Sequence, residues 1–348
     1  VSLPGFTSAV LLTLAGGWLL YLGKSILLPF VIALFLWHVI HALAEGLMRL
    51  PPWRRLALPQ WPALLLAVCI LLGGGWFGAA IIVDNFNQIA EVMPAYTDNL
   101  QQQGMRVMAW FGIEELPALE HILGQFQVAP LLGALFASLA SMVGSGGAAL
   151  LYLLLLFLEE HSFPIKIELL FREPERARRV RRILQAIAAD MRTYLWMKTV
   201  ISMSTALLSW AVMALLGLDF AAFWAALIFA LNFIPDLGSL LAVALPALIG
   251  LVQFPDLFDL ALLAGGLGAI QVVMGNVLEP RMMGQGLNLS PLAMLLALAV
   301  WGSLWGGVGL FLAVPIMVIA MIILANMPPT RPLAVLLSRD GSLRHQAS

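Results

Sequence analysis

Two long apolar stretches, residues 220–253 and 291–325, constrain this chain more than any other feature. As a single helix each would exceed about 50 Å at about 1.5 Å per residue. A bilayer offers a hydrocarbon core of about 30 Å. Both stretches must therefore break or fold back. Each carries an interruption where it can do so, "NFIPDLGS" at 232–239 and "WGSLWGGVG" at 301–309. Proline removes a backbone donor and glycine permits sharp turns. Non-helical backbone at membrane depth is tolerated only where protein buries it or water reaches it. The two stretches read as re-entrant hairpins, the rival being two long, tilted, broken helices.

The remainder of the chain agrees. It is 61% hydrophobic and 11% charged over 348 residues, where soluble domains are about 45–50% apolar and about 25% charged. This predicts an all-α integral membrane protein with about eight transmembrane elements of about 20 residues each. Conventional spans are expected at 6–22, 26–43, 61–83, 138–158, 195–217 and 257–275. The first has no basic residue before its apolar run, so it reads as a span and not as a cleaved leader. The single cysteine, Cys69, excludes disulfides and cysteine-rich metal sites. A net charge of −1 gives no basic surface for nucleic acid.

Loop charges set the orientation. Arg49, Arg54 and Arg55 lie in the 44–60 loop, and 161–192 is densely basic, so both are expected in the cytoplasm. The 84–137 segment holds Asp84, Glu91, Asp98, Glu114, Glu115 and Glu120 against Arg106, and is expected outside. Arg281 places the 276–290 loop in the cytoplasm, so 220–253 starts and ends outside while 291–325 starts and ends inside. The expected organisation is three N-terminal spans (1–83), an extracytoplasmic helical insertion (84–137), a fourth span (138–160) and a basic amphipathic helix (161–194). A transport core with both hairpins (195–326) and a cytoplasmic tail (327–348) complete it. Both termini are expected inside. The arginines of the amphipathic helix suit anionic lipid. Paired interrupted segments are the pattern of secondary transporters, with the binding site between them.

Several residues are candidates for that site. Asp236 is an ionisable group at membrane depth, which is costly and functional by default. A proton or cation carrier and a cap for the following helix are both open to it. Asn232 and Ser239 offer hydrogen bonds at the tip, while Pro235 and Gly238 shape it. Gln271 and Asn276 present amides along the seventh span, where substrate contact and helix–helix hydrogen bonding compete. Glu279 and Arg281 read as a gate or coupling pair, or as interfacial charges that set topology. Trp301, Trp305 and Gly306 belong to the second tip, with interfacial anchoring as the alternative for the indoles. His38, His41 and Glu45 share a helical face but are poorly placed to close a metal site. No metal or other cofactor is expected. No nucleophile elbow, phosphate loop or dinucleotide glycine pattern occurs, so an enzyme is not expected.

The run "LNFIPDLGSLLAVALPALIGL", then "GNVLEPRMMGQGLNLSPLAMLLALAVWGSLWGGVGLFLAVPIMVIAMIIL", resembles the autoinducer-2 exporter (AI-2E) family of bacterial inner-membrane proteins. The resemblance rests on Asn232, Phe233, Ile234, Pro235, Gly238 and Pro246, then Asn276, Glu279, Pro280, Arg281, Met283, Gly284 and Pro291. It continues through Trp301, Gly302, Trp305, Gly306, Gly309, Ala313, Val314 and Pro315, and "YLWMKTVISMSTALL" fits as well. It implies export of autoinducer-2 or related small polar metabolites, or sodium/proton antiport as in other members. It also implies a homo-oligomer, a pentamer by analogy. One position departs. Asp236 stands where members often carry Asn or Tyr, and an acid there suits a proton or cation.

The expected function is a secondary transporter exporting a small polar metabolite, with autoinducer-2 as the family's named candidate. A monovalent cation/proton antiporter using Asp236 is the first alternative. A non-transporting membrane scaffold is the second.

Overall fold

The computed structural model describes residues 3–49, 59–78, 80–81, 85, 146–171, 173–254, 256–283 and 288–342. The 84–137 insertion lies outside them except for Asn85, as do Arg54, Arg55 and Gly284. Among the described residues the structure is helical, with one isolated bridge between Leu289 and Ser338. The chain is an all-α, multi-pass membrane protein.

Helices α1 (Leu3–Leu22) and α2 (Lys24–Met48) are followed by α3 (Gln60–Gly78), α4 (Gly146–Glu159) and α5 (Phe163–Leu170). Next come α6 (Pro174–Leu215), α7 (Ala221–Leu231) and α8 (Leu237–Gln253). Helix α9 (Leu257–Gln271) runs through a π-helical segment, Val272–Leu278, into α10 (Glu279–Met283). Helix α11 (Pro291–Asn326) ends before a 3₁₀ turn at Pro328–Thr330 and α12 (Arg331–Leu337). Among the described residues five helices are long and apolar enough to cross a membrane: α2, α3, α6, Leu257–Met282 and, counted by its whole length, α11. They become six if α4 and α5, bent by 69°, count as one span.

Two expectations change. The amphipathic segment and the fifth span are one 42-residue helix, α6, opened by Pro174 and Glu175 at its first turn. At about 63 Å it outruns the hydrocarbon core, so part of it extends beyond. Residues 276–283, expected in a loop, are helical, because the apolar run continues through Val277 and Leu278.

The chain divides into two compact units. The first comprises Val1–Leu64, Phe136–Leu195 and Gln285–Ser348; the second comprises Leu65–Leu135 and Trp196–Gly284. Each contains one of the interrupted stretches.

In the second unit, 220–253 is a helical hairpin. At about 16 Å, α7 is too short to cross a bilayer, and α8 folds back along it. The base is clamped: Gln253 Nε2 donates to the Gly217 carbonyl at 2.7 Å, and the Asp219 amide donates to Gln253 Oε1 at 2.8 Å. The hairpin therefore returns to the side from which it left. At the tip, a Cβ on Gly238 would overlap the Leu231 carbonyl. Only glycine lets the arms approach so closely.

In the first unit, α11 is interrupted at Gly306, whose φ of 63° and ψ of −142° belong to a region open essentially to glycine alone. A Cβ on Gly309 would overlap the Trp301 carbonyl, eight residues earlier. Along a straight helix those residues lie about 12 Å apart, so the chain folds back here as well. The base is tied to the tail. The Ser290 amide donates to the Leu337 carbonyl at 2.8 Å, and Asn288 Nδ2 donates to Asp340 Oδ1 at 2.6 Å. Hydrogen bonds from Ser342 and Asn288 hold the exposed Asp340 carboxyl down at about 2.

Candidate functional site

The tip of the first hairpin is built from backbone. Asn232 ends α7, and the Ile234 amide bonds the Leu231 carbonyl at 2.8 Å. The Leu237 amide then reaches the Pro235 carbonyl at 2.5 Å, with Asp236 at φ 55° and ψ −58° between them. This is the rare positive-φ γ-turn, a strained form. Its φ is one that Asp and Asn tolerate better than most side chains. The Asp236 side chain makes no capping bond to α8 and is exposed. The acid is thus presented outward from the sharpest point of the hairpin. Ser239 follows it, half-buried.

Behind the tip the polar groups turn inward. Asn232 is 7% exposed, and its Oδ1 accepts a hydrogen bond from Gln271 Nε2 at 3.4 Å. Sequence reasoning named both amides but gave no reason to join them. Gln271 is also the last residue before the π-helical segment, and Glu279 is the first after it. Asn276 lies within the segment, on its exposed side. Single-turn π-segments occur frequently at functional sites.

Glu279 does not stand alone. Its Oε1 accepts a hydrogen bond from Lys198 Nζ at 2.6 Å, and the Lys198 side chain is only 7% exposed. Arg281, the expected partner of Glu279, is exposed, and the carboxylate pairs with Lys198 in its place. Lys198 begins a polar line on α6 with Ser202, Thr205 and Ser209, all buried. The spacing of four, three and four residues puts them on one helical face. Met203, Leu207, Leu208 and Trp210 are exposed around them. The helix is apolar outside and polar within, the reverse of a soluble surface helix. That spacing was present in "KTVISMSTALLS", where it passed as part of an apolar span.

The remaining candidates lie in the first unit. Trp305 is buried, and its indole Nε1 donates to the Leu20 carbonyl in the last turn of α1 at 3.3 Å. It satisfies one of the carbonyls that a helix end leaves open. The Trp301 ring lies tilted beside it, centroids 4.9 Å apart, and Gly306 is the turning point of α11. His41 Nε2 lies 3.1 Å from Glu160 Oε1, and Trp37 Nε1 donates to Glu160 Oε2 at 3.4 Å. Glu45 pairs with Arg192 at 3.2 Å. The face that carries His38, His41 and Glu45 is therefore engaged in tying α2 to its neighbours. Among the described residues no group of three metal-ligating side chains gathers.

Two interrupted hairpins, an ion pair with a buried lysine and a polar face inside apolar helices are the makings of a membrane transport protein. Comparison with known proteins agrees. The pattern of the AI-2E family transporter matches residues 8–328. The chain belongs to the AI-2E transporter family. It is 32% identical over 319 residues to the AI-2 transport protein TqsA of Escherichia coli (strain K12), covering 90% of each chain. It is also 26% identical over 340 residues to the Escherichia coli protein YhhT, covering 95% of this chain and 92% of that one. A transport-protein relative in Haemophilus influenzae (strain Rd) is 28% identical over 344 residues, with 95% and 94% coverage. This AI-2E family member is accordingly a membrane transporter.

Proposed function

We propose that this chain is a secondary transporter that exports a small polar metabolite across the bacterial inner membrane. Its binding groups lie at the first hairpin tip and on the adjoining π-segment. The observation that carries this reading is the amide pair of buried Asn232 and half-buried Gln271. It sits where a hairpin turns back and where the neighbouring span leaves α-helical geometry. An amide pair can exchange its mutual hydrogen bond for bonds to a polar solute at small net cost. TqsA, named for AI-2 transport, makes autoinducer-2 the first solute to try. The subunits form a homo-oligomer, a pentamer by family analogy, and the arginine face of α6 rests on anionic lipid.

A second reading has its own support. Asp236 is held at a strained turn and is not used for capping. A carboxylate so placed suits a cation or proton, and the chain would then exchange sodium for protons. Purified protein in proteoliposomes separates the two. The export reading expects saturable uptake of labelled autoinducer-2 that survives collapse of the sodium gradient and persists in Asp236→Asn. The antiporter reading expects a sodium pulse to move protons, and Asp236→Asn to abolish the movement. A protein that moves neither solute nor ions acts as a scaffold, and both transport readings fall.

The same reading places both termini in the cytoplasm, which puts the base of the first hairpin outside. Asp256, exposed beside that base, can be replaced by cysteine in a Cys69→Ser background. A membrane-impermeant maleimide is expected to label Asp256→Cys in intact spheroplasts. Labelling only after permeabilisation would invert the assignment.

A further inference from the structure

The buried face of α6 contains more polar chemistry than its packing consumes. Thr205 follows the usual habit of hydroxyls in membrane helices, donating to the carbonyl four residues back, Ile201, at 2.8 Å. Ser202, one turn earlier, does not. Its Oγ is fully buried and has no hydrogen-bond partner among the described residues. A buried polar atom left in that condition is destabilising. It lies four residues from Lys198 and so on the same face. An ammonium carries three donors, and the bond to Glu279 uses one of them.

The two members of the ion pair are not equally placed. The Lys198 side chain is 7% exposed and that of Glu279 is 23% exposed. If the pair opens, Glu279 has an open side to turn to and Lys198 has almost none. The carboxylate is therefore the exchangeable partner, and the ammonium is the fixed one.

We propose that Lys198 and Ser202 form an oxyanion subsite of the transported solute, taking a carboxylate or a phosphate, with Glu279 as the built-in counter-ion that the solute displaces. One solute oxygen replaces Glu279 Oε1 on Lys198 Nζ, and a second accepts the Ser202 hydroxyl. The solute neutralises Lys198 while Glu279 turns to its more exposed side, and the pair re-forms when the solute leaves. This rests on the transporter reading and narrows its solute to a small organic anion, or to a neutral metabolite carried as an anionic ester.

The test uses the full-length protein in nanodiscs and reads melting temperature in sodium lactate or sodium phosphate against sodium chloride of equal ionic strength. At least one of the two anions is expected to raise the melting temperature. Lactate alone would specify carboxylates, and phosphate alone would specify phosphate esters. The charge-balanced double variant Lys198→Met/Glu279→Gln is expected to melt near the wild type and to lose the anion shift. Ser202→Ala removes an unsatisfied hydroxyl, so it is expected to melt at or above the wild type while needing about tenfold more anion for the same shift, as the loss of one charge-assisted hydrogen bond implies. Three outcomes overturn the proposal: no anion shift in the wild type, a shift retained in the double variant, or an unchanged anion requirement in Ser202→Ala. An anion shift without any transport in proteoliposomes would sink the export reading and leave the subsite standing.

Discussion

Gly238→Ala and Gly309→Ala are each expected to remove most of the folded yield of this transporter, with a loss of more than about 3 kcal/mol apiece. Inserting a methyl group into a packed interior usually costs about 1–3 kcal/mol, because side chains can shift to receive it. Here the obstacle is backbone. The new Cβ of Gly238→Ala would overlap the carbonyl carbon and oxygen of Leu231, and that of Gly309→Ala those of Trp301. A carbonyl held in a helix cannot rotate away without breaking its turn. Separating the arms instead would disturb the tip, which at the first hairpin places Asn232 against Gln271. Gly265→Ala is the control. It lies in α9 with open space around it, and alanine in a helix interior gains up to about 1 kcal/mol over glycine. Monodisperse yield and melting temperature in detergent decide the matter. A Gly238→Ala protein as stable as Gly265→Ala would refute the close packing of the arms.

The same glycines show what could be read from the sequence alone. Length against bilayer thickness was enough to demand that 220–253 and 291–325 break, and loop charges were enough to suggest that they return. Gly238 opens "GSLLAVALP" and Gly309 opens "GLFLAVP", a likeness that apolar sequence can also produce by chance. Its meaning is geometric. Gly238 and Gly309 hold the same job, each abutting a carbonyl seven or eight residues before it. Contacts of that kind leave no periodic trace, because the partner is a backbone atom present at every residue.

The site was legible in part for a related reason. Polar residues at an obvious interruption, such as Asn232 and Asp236, announce themselves. Lys198, Ser202, Thr205 and Ser209 do not, because each is a lone polar residue among apolar neighbours. Hydropathy averaged over a window erases them, whereas their spacing on a helical wheel would have put them on one face. Glu279 was recognised without its partner, since nothing in the chain links positions 198 and 279 until the helices are packed. The continuity of α6 was missed because a change from charged to apolar composition looks like a boundary. A helix needs no boundary there, since its backbone bonds are satisfied internally in water and lipid alike.

The ion pair yields the second large effect, and an asymmetric one. Glu279→Gln leaves a buried ammonium without its counter-ion, and breaking a buried pair in this way costs about 3–5 kcal/mol. Lys198→Met leaves a carboxylate that is nearly a quarter exposed and so less dependent on its partner than the buried ammonium is. Its expected cost is smaller, about 1–3 kcal/mol, in line with a single stranded polar group. The double variant Lys198→Met/Glu279→Gln is expected to recover most of either loss, because no charge remains to be desolvated. Melting temperatures of the four proteins give the cycle directly. If Lys198→Met proves the more damaging single change, Glu279 is the buried partner and the exchange assigned to it fails. If the double variant is no better than the worse single one, the two residues are not coupled, and the 2.6 Å bond does not persist in the membrane. Recovery in the double variant would mean that stability does not require the charges. The use of the pair would then lie in the exchange assigned to it.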